Sequence, residues 1–155
     1  MKKFFDQFRV TKTKSVIWEK CHENAIIPHR AEHGSAGFDL YSVEKVVIKP
    51  SERKLIRTGL KWQPNSNKLE MQIRPRSGMA LKYGITVLNS PGTVDSSYRD
   101  EIKVLLINHG EQDYTIEIGD RIAQSIFSEI KDIEFIEGDV QCNTERNGGF
   151  ESTGK

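Results

Sequence analysis

An all-β fold carrying one short helix is the architecture that this 155-residue chain predicts. The prediction rests on periodicity and punctuation. Apolar residues recur in short runs, several with apolar–polar alternation, the period of a strand with one buried face. Between the runs stand Gly, Pro, Asn and Asp, which end strands and open turns. Short strands at this spacing build a sandwich, barrel or jelly roll. The length suits one domain with enough interior for a sizeable core.

Taken in order, residues 1–15 read as an N-terminal extension, because Lys12, Thr13, Lys14 and Ser15 are polar and periodicity begins near Val16. Phe4, Phe5 and Phe8 either space out a short apolar helical face or belong to a poorly ordered terminus. The β domain is expected over residues 16–138. Ala36–Ser42 alternates, Val46–Ile48 stops at Lys49-Pro50, and Lys54–Trp62 alternates again. Leu69–Arg74 alternates and halts at Pro75. Ser77–Gly84 is the exception: a hydroxyl suited to capping opens it and Gly closes it, which predicts a helical turn. Ile85–Leu88 and Ile102–Ile107 flank Pro91–Glu101, a β-hairpin or short β-arch with polar chemistry at its tip. Tyr114–Ile118 and Ile122–Phe127 complete the strands. Residues 139–155 form a polar, Gly-rich tail that is either disordered or ordered over a ligand.

Lys and Arg number 23 against 22 Asp and Glu, a net charge of +1. That balance argues against general nucleic-acid or anionic-membrane binding, so any phosphate site is local. The N-terminus lacks the apolar core of a signal peptide, and no run reaches the roughly 18 apolar residues of a membrane span. Cys21 and Cys142 match no zinc or redox pattern and read as reduced thiols. A soluble, cytoplasmic protein is expected.

The groups that could carry chemistry are scattered. Asp95 follows a Pro-Gly turn and stands three residues from Tyr98; such an Asp is a hydrogen-bonding anchor, or a general base when a water and an electrophile are held nearby. Arg76-Ser77-Gly78 offers an Arg fork, a hydroxyl and helix-start N–H groups, all suited to phosphate oxygens, and also reads as an exposed turn. Gln124 and Ala123 point to opposite faces of a strand, so Gln124 is free to present a carboxamide to a ligand or to solvent. Arg146 and Phe150 pair a phosphate-type cation with a stacking ring in the tail. Asp39 is a turn or ladder anchor, or a holder of metal-bound water. His29 and His33 have the spacing of a helical metal face, but Pro28 and Gly34 place them in a loop.

Together, and in this order, these pieces resemble the five motifs of the trimeric dUTP diphosphatase (dUTPase) family, over about residues 16–154. The motifs are similar to Ala36–Ser42, Pro75–Ala80, Gly92–Arg99, Gly119–Gln124 and Arg146–Gly154. The resemblance implies an all-β, jelly-roll-like barrel or sandwich subunit with one short helix, assembled as a homotrimer whose sites draw motifs from all three subunits. It implies a lid in the C-terminal motif and the reaction dUTP + water → dUMP + diphosphate, with Mg²⁺ on the triphosphate. That reaction keeps uracil out of DNA and supplies dUMP for thymidylate synthesis.

By the same resemblance, Asp95 would orient and activate the attacking water, and Tyr98 would pack under the deoxyribose, leaving no room for a 2′-OH. Asn89 and the neighbouring hairpin backbone, including Thr93 and Val94, would read the uracil edge. Arg76, Ser77, Gly78 and Gln124 would hold the phosphates, with Lys103 as a further substrate contact. Arg146 would add charge, Phe150 would stack on uracil, and Glu151 would stand beside them. Asp39 would meet Mg²⁺ through water. The substrate would be dUTP, with no direct nucleic-acid or membrane partner.

Asp100 stands where the family usually has Gly, Asn147 replaces another Gly in a fifth motif one residue short, and Glu151 replaces the Gly after the stacking Phe. The altered tail and the N-terminal extension motivate a second reading, a dUTP-binding regulatory or interaction protein on the same fold with weak or no catalysis. A dCTP deaminase relative is a third, against which the Asp95/Tyr98 hairpin and Phe150 argue.

Overall fold

The computed structural model describes residues 14–141, and among them the chain forms eleven strands and one helix. The strands are β1 (Val16–Lys20), β2 (Phe38–Tyr41), β3 (Val46–Ile48), β4 (Arg53–Arg57), β5 (Leu60–Pro64), β6 (Leu69–Arg74), β7 (Ile85–Val87), β8 (Gly92–Val94), β9 (Lys103–Asn108), β10 (Tyr114–Ile116) and β11 (Arg121–Glu129). The helix α1 (Ser77–Tyr83) lies between β6 and β7. The strands pair in the orders β2-β11-β6-β8, β4-β9-β7, β1-β5 and β10-β3, and every pairing is antiparallel. Among the described residues these ladders do not close into a barrel, and the expected strand-rich subunit with one short helix is what forms.

Alternation sets which face is buried. In β6, Leu69, Met71 and Ile73 point inward, and in β9 Val104 and Leu106 do the same. They meet Leu40, Ile48, Ile56, Trp62, Ile102, Ile116 and Ile122 in one core. Each such aliphatic side chain contributes about 1.5–3 kcal/mol when fully buried. Asn108 is also fully buried, and its bonds explain why that is tolerated. Its Nδ2 donates to Ile48 O at 2.9 Å and Gln112 O at 2.8 Å, while its Oδ1 accepts from Gly110 N at 2.8 Å.

The structure corrects several sequence expectations. Lys54–Trp62 is two strands rather than one, because Gly59 sits at φ 66 and cannot continue an extended strand. A Cβ there would meet His22 Cβ at 2.6 Å, so the turn needs glycine. The break lets β4 pair with β9 while β5 pairs with β1. Ser77 does not cap the helix: Arg76 is the N-cap residue, with no side-chain cap bond, and Ser77 is the first helical residue. Tyr114–Ile118 shortens to Tyr114–Ile116, while β1 and β8 were not foreseen as strands. Asp100 is not at positive φ; Ser51, at φ 63, is the one such non-glycine residue among those described. The Asp in place of Gly therefore imposes no left-handed strain. The expectations on Phe4, Phe5, Phe8, Cys142, Arg146, Asn147, Phe150 and Glu151 lie outside the described residues.

Candidate active site

The hairpin expected around Asp95 is present and is more elaborate than a simple tip. Strands β7 and β9 pair from Ile85↔Asn108 to Val87↔Leu106, and Leu88 N–H extends the ladder to Leu105 O at 2.9 Å. Within the long tip, the chain crosses a cis Ser90–Pro91 bond and enters β8, which leaves the hairpin to pair with β6. A groove of about 290 Å³ opens between these strands. Leu55, Ile73, Val87, Ile102 and Leu105 supply its apolar lining. Asn89, Gly92, Thr93, Val94, Asp95, Tyr98 and Lys103 bring polar groups and backbone to it. The side-chain amide of Asn89 lies over Gly92, its Nδ2 3.3 Å from where a Cβ would stand. An apolar slot with a few polar groups converging on it is the usual form of a small-ligand site.

The loop after Asp95 is held by its own bonds. Tyr98 N–H donates to Asp95 O at 3.0 Å, and Tyr98 Oη donates to Glu101 O at 3.0 Å. One guanidinium nitrogen of Arg99 reaches Ser96 O at 2.7 Å and Tyr98 O at 2.9 Å. Glu101 ties the far end down: its carboxylate accepts from Arg57 Nε at 3.0 Å and from Gly59 N–H at 2.9 Å. The hydrogen bond and charge of Glu101 hold the Arg57 guanidinium above its ordinary pKa. Asp95 itself is exposed at the rim.

A second polar group gathers where β2, β11 and the end of β6 meet. Gln124 lies opposite Asp39 on one side and Arg74 on the other. Asp39 Oδ1 is 3.5 Å from Arg76 Nε, and its Oδ2 accepts from Arg121 at 3.3 Å. Arg76 also donates to Arg121 O at 2.9 Å. Gln124 Nε2 donates to Pro75 O at 2.9 Å, which fixes the orientation of its carboxamide. That contact depends on Gly37, since a Cβ there would stand 2.2 Å from Gln124 Oε1. Behind Asp39, Tyr41 is buried and its hydroxyl lies 3.1 Å from His29 Nε2, the two rings stacked with centroids 5.6 Å apart. Burial, and then the Asp39 charge, push the Tyr41 pKa upward.

Six of the predicted site residues therefore share the groove: Asn89, Thr93, Val94, Asp95, Tyr98 and Lys103. Asp39, Arg76 and Gln124 make the second group and do not line the groove, and Ser77 and Gly78 follow Arg76 in the first turn of α1. Asp39 is engaged by two guanidinium groups, and among the described residues no cluster of three His, Cys, Asp or Glu side chains is placed to hold a metal.

Comparison with known proteins decides the family. The dUTPase family profile matches residues 23–154. A deoxyuridine 5′-triphosphate nucleotidohydrolase of Nautilia profundicola is 53% identical over 88% of this chain and 96% of its own length. The protein of the same name from Clostridioides difficile is 51% identical, over 88% and 95%. The chain belongs to the dUTPase family. Its fold is also that of a solved dUTPase from Staphylococcus bacteriophage 80alpha, with a TM-score of 0.81 and 24% identity over 94% of this chain and all of the other. The four motifs that lie among the described residues, Ala36–Ser42, Pro75–Ala80, Gly92–Arg99 and Gly119–Gln124, sit on that fold.

Sequence reasoning missed the parts that brace the site. Glu101 and Arg57 are 44 residues apart in the chain and carry no local signature. Arg121 was visible only as a member of the fourth motif, not as a partner of Asp39. His29 lies in a loop, as expected from its flanking Pro28 and Gly34, and nothing in the sequence signals that its ring stacks on Tyr41.

Proposed function

We propose that this chain hydrolyses dUTP to dUMP and diphosphate in a site completed between copies of a homotrimer. One observation carries the reading: in a chain of the dUTPase family, Asn89, Asp95 and Tyr98 converge on one groove whose size is at the small end for a ligand site. In this reading the groove takes base and sugar. Asn89 and the β8 backbone meet the uracil edge, where a narrow slot rejects the methyl of thymine. Tyr98 packs under the deoxyribose and excludes a 2′-OH. Asp95, at the open rim, holds the attacking water and takes its proton as the oxygen adds in line to the α-phosphorus and diphosphate departs.

Arg76, Ser77, Gly78 and Gln124 hold the phosphate chain, with the Asp39–Arg76–Arg121 contacts setting the angle of the guanidinium. Arg76 and Gln124 do not line the groove within a single protomer, and this favours a site shared between copies. The chain after β11 favours assembly as well, with Phe135 and Val140 at least nine-tenths exposed. Arg146 and Phe150 would complete the site as a closing lid, and residues 1–15 and 139–155 would flank a catalytic body at 16–138.

Magnesium enters as part of the Mg·dUTP substrate. A cation that keeps its waters and takes most of its ligands from phosphates demands few protein carboxylates. Asp39, already paired to two arginines, would meet it through water. No helix among the described residues is long and apolar enough to cross a membrane, and the reading sets the enzyme in the cytoplasm.

The test is diphosphate release from dUTP, dCTP, dTTP and UTP in parallel, with Mg²⁺ and then with excess EDTA. Fast hydrolysis confined to dUTP and lost in EDTA is expected. Tight dUTP binding without turnover would instead favour the regulatory reading.

A further inference from the structure

Glu101 has no place in the chemistry above, yet it is the most heavily engaged carboxylate near the groove. Its side chain is only 14% exposed, although it stands in a run of exposed polar residues. The carboxylate spans two partners on the β4–β5 turn: Arg57 Nε at 3.0 Å and Gly59 N–H at 2.9 Å. Its own carbonyl accepts the Tyr98 hydroxyl at 3.0 Å. One residue on, Ile102 O takes the Thr58 hydroxyl at 2.6 Å, and Ile102 N–H donates to Leu60 O at 2.8 Å. The turn that receives these bonds is closely packed: Gly59 sits at positive φ, and a side chain there would meet His22 and Ala25.

The geometry is a strap. The turn between β4 and β5 grips the Glu101 carboxylate, and the Glu101 carbonyl in turn holds the hydroxyl end of the Tyr98 ring. We infer that Glu101 is a positioning residue that sets the height of the Tyr98 platform, and through it the discrimination between a 2′-deoxy and a 2′-hydroxy nucleotide. The inference rests on the dUTP reading above. Without the strap the backbone at Glu101 loses its charged anchor, Tyr98 Oη loses a fixed acceptor, and the ring gains room to withdraw from the groove. A ribose hydroxyl then meets less obstruction, and deoxyribose meets less contact.

The experiment measures kcat/KM for dUTP and for UTP in the wild type and in Glu101→Ala, Glu101→Gln and Tyr98→Phe, with Tm taken for each. Glu101→Ala is expected to lower the dUTP-to-UTP ratio roughly tenfold, the scale of a hydrogen bond to a charged group. Glu101→Gln keeps an acceptor for Gly59 N–H and is expected to lose only about threefold; it also supplies the answer if the alanine variant fails to fold. Tyr98→Phe is expected to lower the same ratio, and the pair Glu101→Ala/Tyr98→Phe to be no worse than Glu101→Ala alone, because both cut one connection. Equal losses on dUTP and UTP, or an unchanged ratio in both Glu101 variants, would overturn the inference while leaving dUTP hydrolysis standing. A wild type that releases no diphosphate from dUTP would overturn the underlying reading and this inference with it.

Discussion

The groove and the arginine cluster are built on opposite plans. The groove is shaped mainly by backbone: β8 is peeled out of a hairpin onto β6, and apolar side chains from β4, β6, β7 and β9 line the space. The cluster is shaped by side chains: Asp39 sits between Arg76 and Arg121, and Gln124 is pinned to Pro75. A planar base with a fixed hydrogen-bonding edge demands a rigid slot. A triphosphate demands charge held at a defined angle. The contrast teaches that the two groups of residues have separate supports, so under the proposed function damage to each should have its own kinetic signature.

The largest effect is expected from Asp95→Ala. Removal of the general base should lower kcat roughly 10²- to 10⁴-fold while dUTP binding persists, as titration with the nucleotide would report. Arg76→Ala comes next. It should lower kcat/KM roughly 10²-fold, because a charged phosphate partner is lost. Competition by deoxyuridine, which carries no phosphate, should be unchanged; a parallel loss for both would show that the two groups are not separate.

Gly37→Ala is a milder probe of the cluster alone. The added methyl would stand 2.2 Å from Gln124 Oε1, and the flexible carboxamide should swing off Pro75 O rather than the backbone moving. About a tenfold loss in kcat/KM is expected, from one mispositioned phosphate contact, with a Tm change of a few degrees at most. Gln124→Ala should reproduce it, and the double variant should be no worse.

Tyr41→Phe is the smallest and concerns stability at high pH. Burial makes the Tyr41 hydroxyl harder to ionise in the folded state than in the unfolded one. Its contribution is intact below the unfolded pKa of about 10 and is lost as pH rises towards the higher folded value. The wild type should therefore weaken in alkali, and Tyr41→Phe should flatten part of that decline in urea midpoints taken from pH 9 to 11. Tyr114, also raised by burial, should keep the rest.

The groove was legible in sequence because its parts are consecutive: the Pro-Gly turn, Asp95 and Tyr98 lie within one short stretch between two apolar runs. The fold class was legible for a similar reason, since alternation in Leu69–Arg74 reports its buried face directly. What stayed hidden was long-range or conformational. Alternation runs straight through Thr58-Gly59, and only a positive φ shows that Lys54–Trp62 is broken. The grip of Glu101 on Arg57 joins distant residues that have no helical or strand spacing between them. Gln124 could be read only as a carboxamide facing a ligand or solvent, because nothing local marks the Pro75 carbonyl that takes one of its N–H groups.

Subunit mixing tests the central claim most directly. Asp95→Ala and Arg76→Ala proteins, each expected to be weakened at least about a hundredfold, would be unfolded together in equal amounts, refolded, and assayed for dUTP hydrolysis. If groove and cluster meet across a subunit boundary, about a quarter of the sites in randomly assembled trimers combine an intact Asp95 with an intact Arg76. Activity should then return to about that fraction of wild type. Activity no higher than that of the separate variants would contradict the account, and would mean that each site is built within one chain.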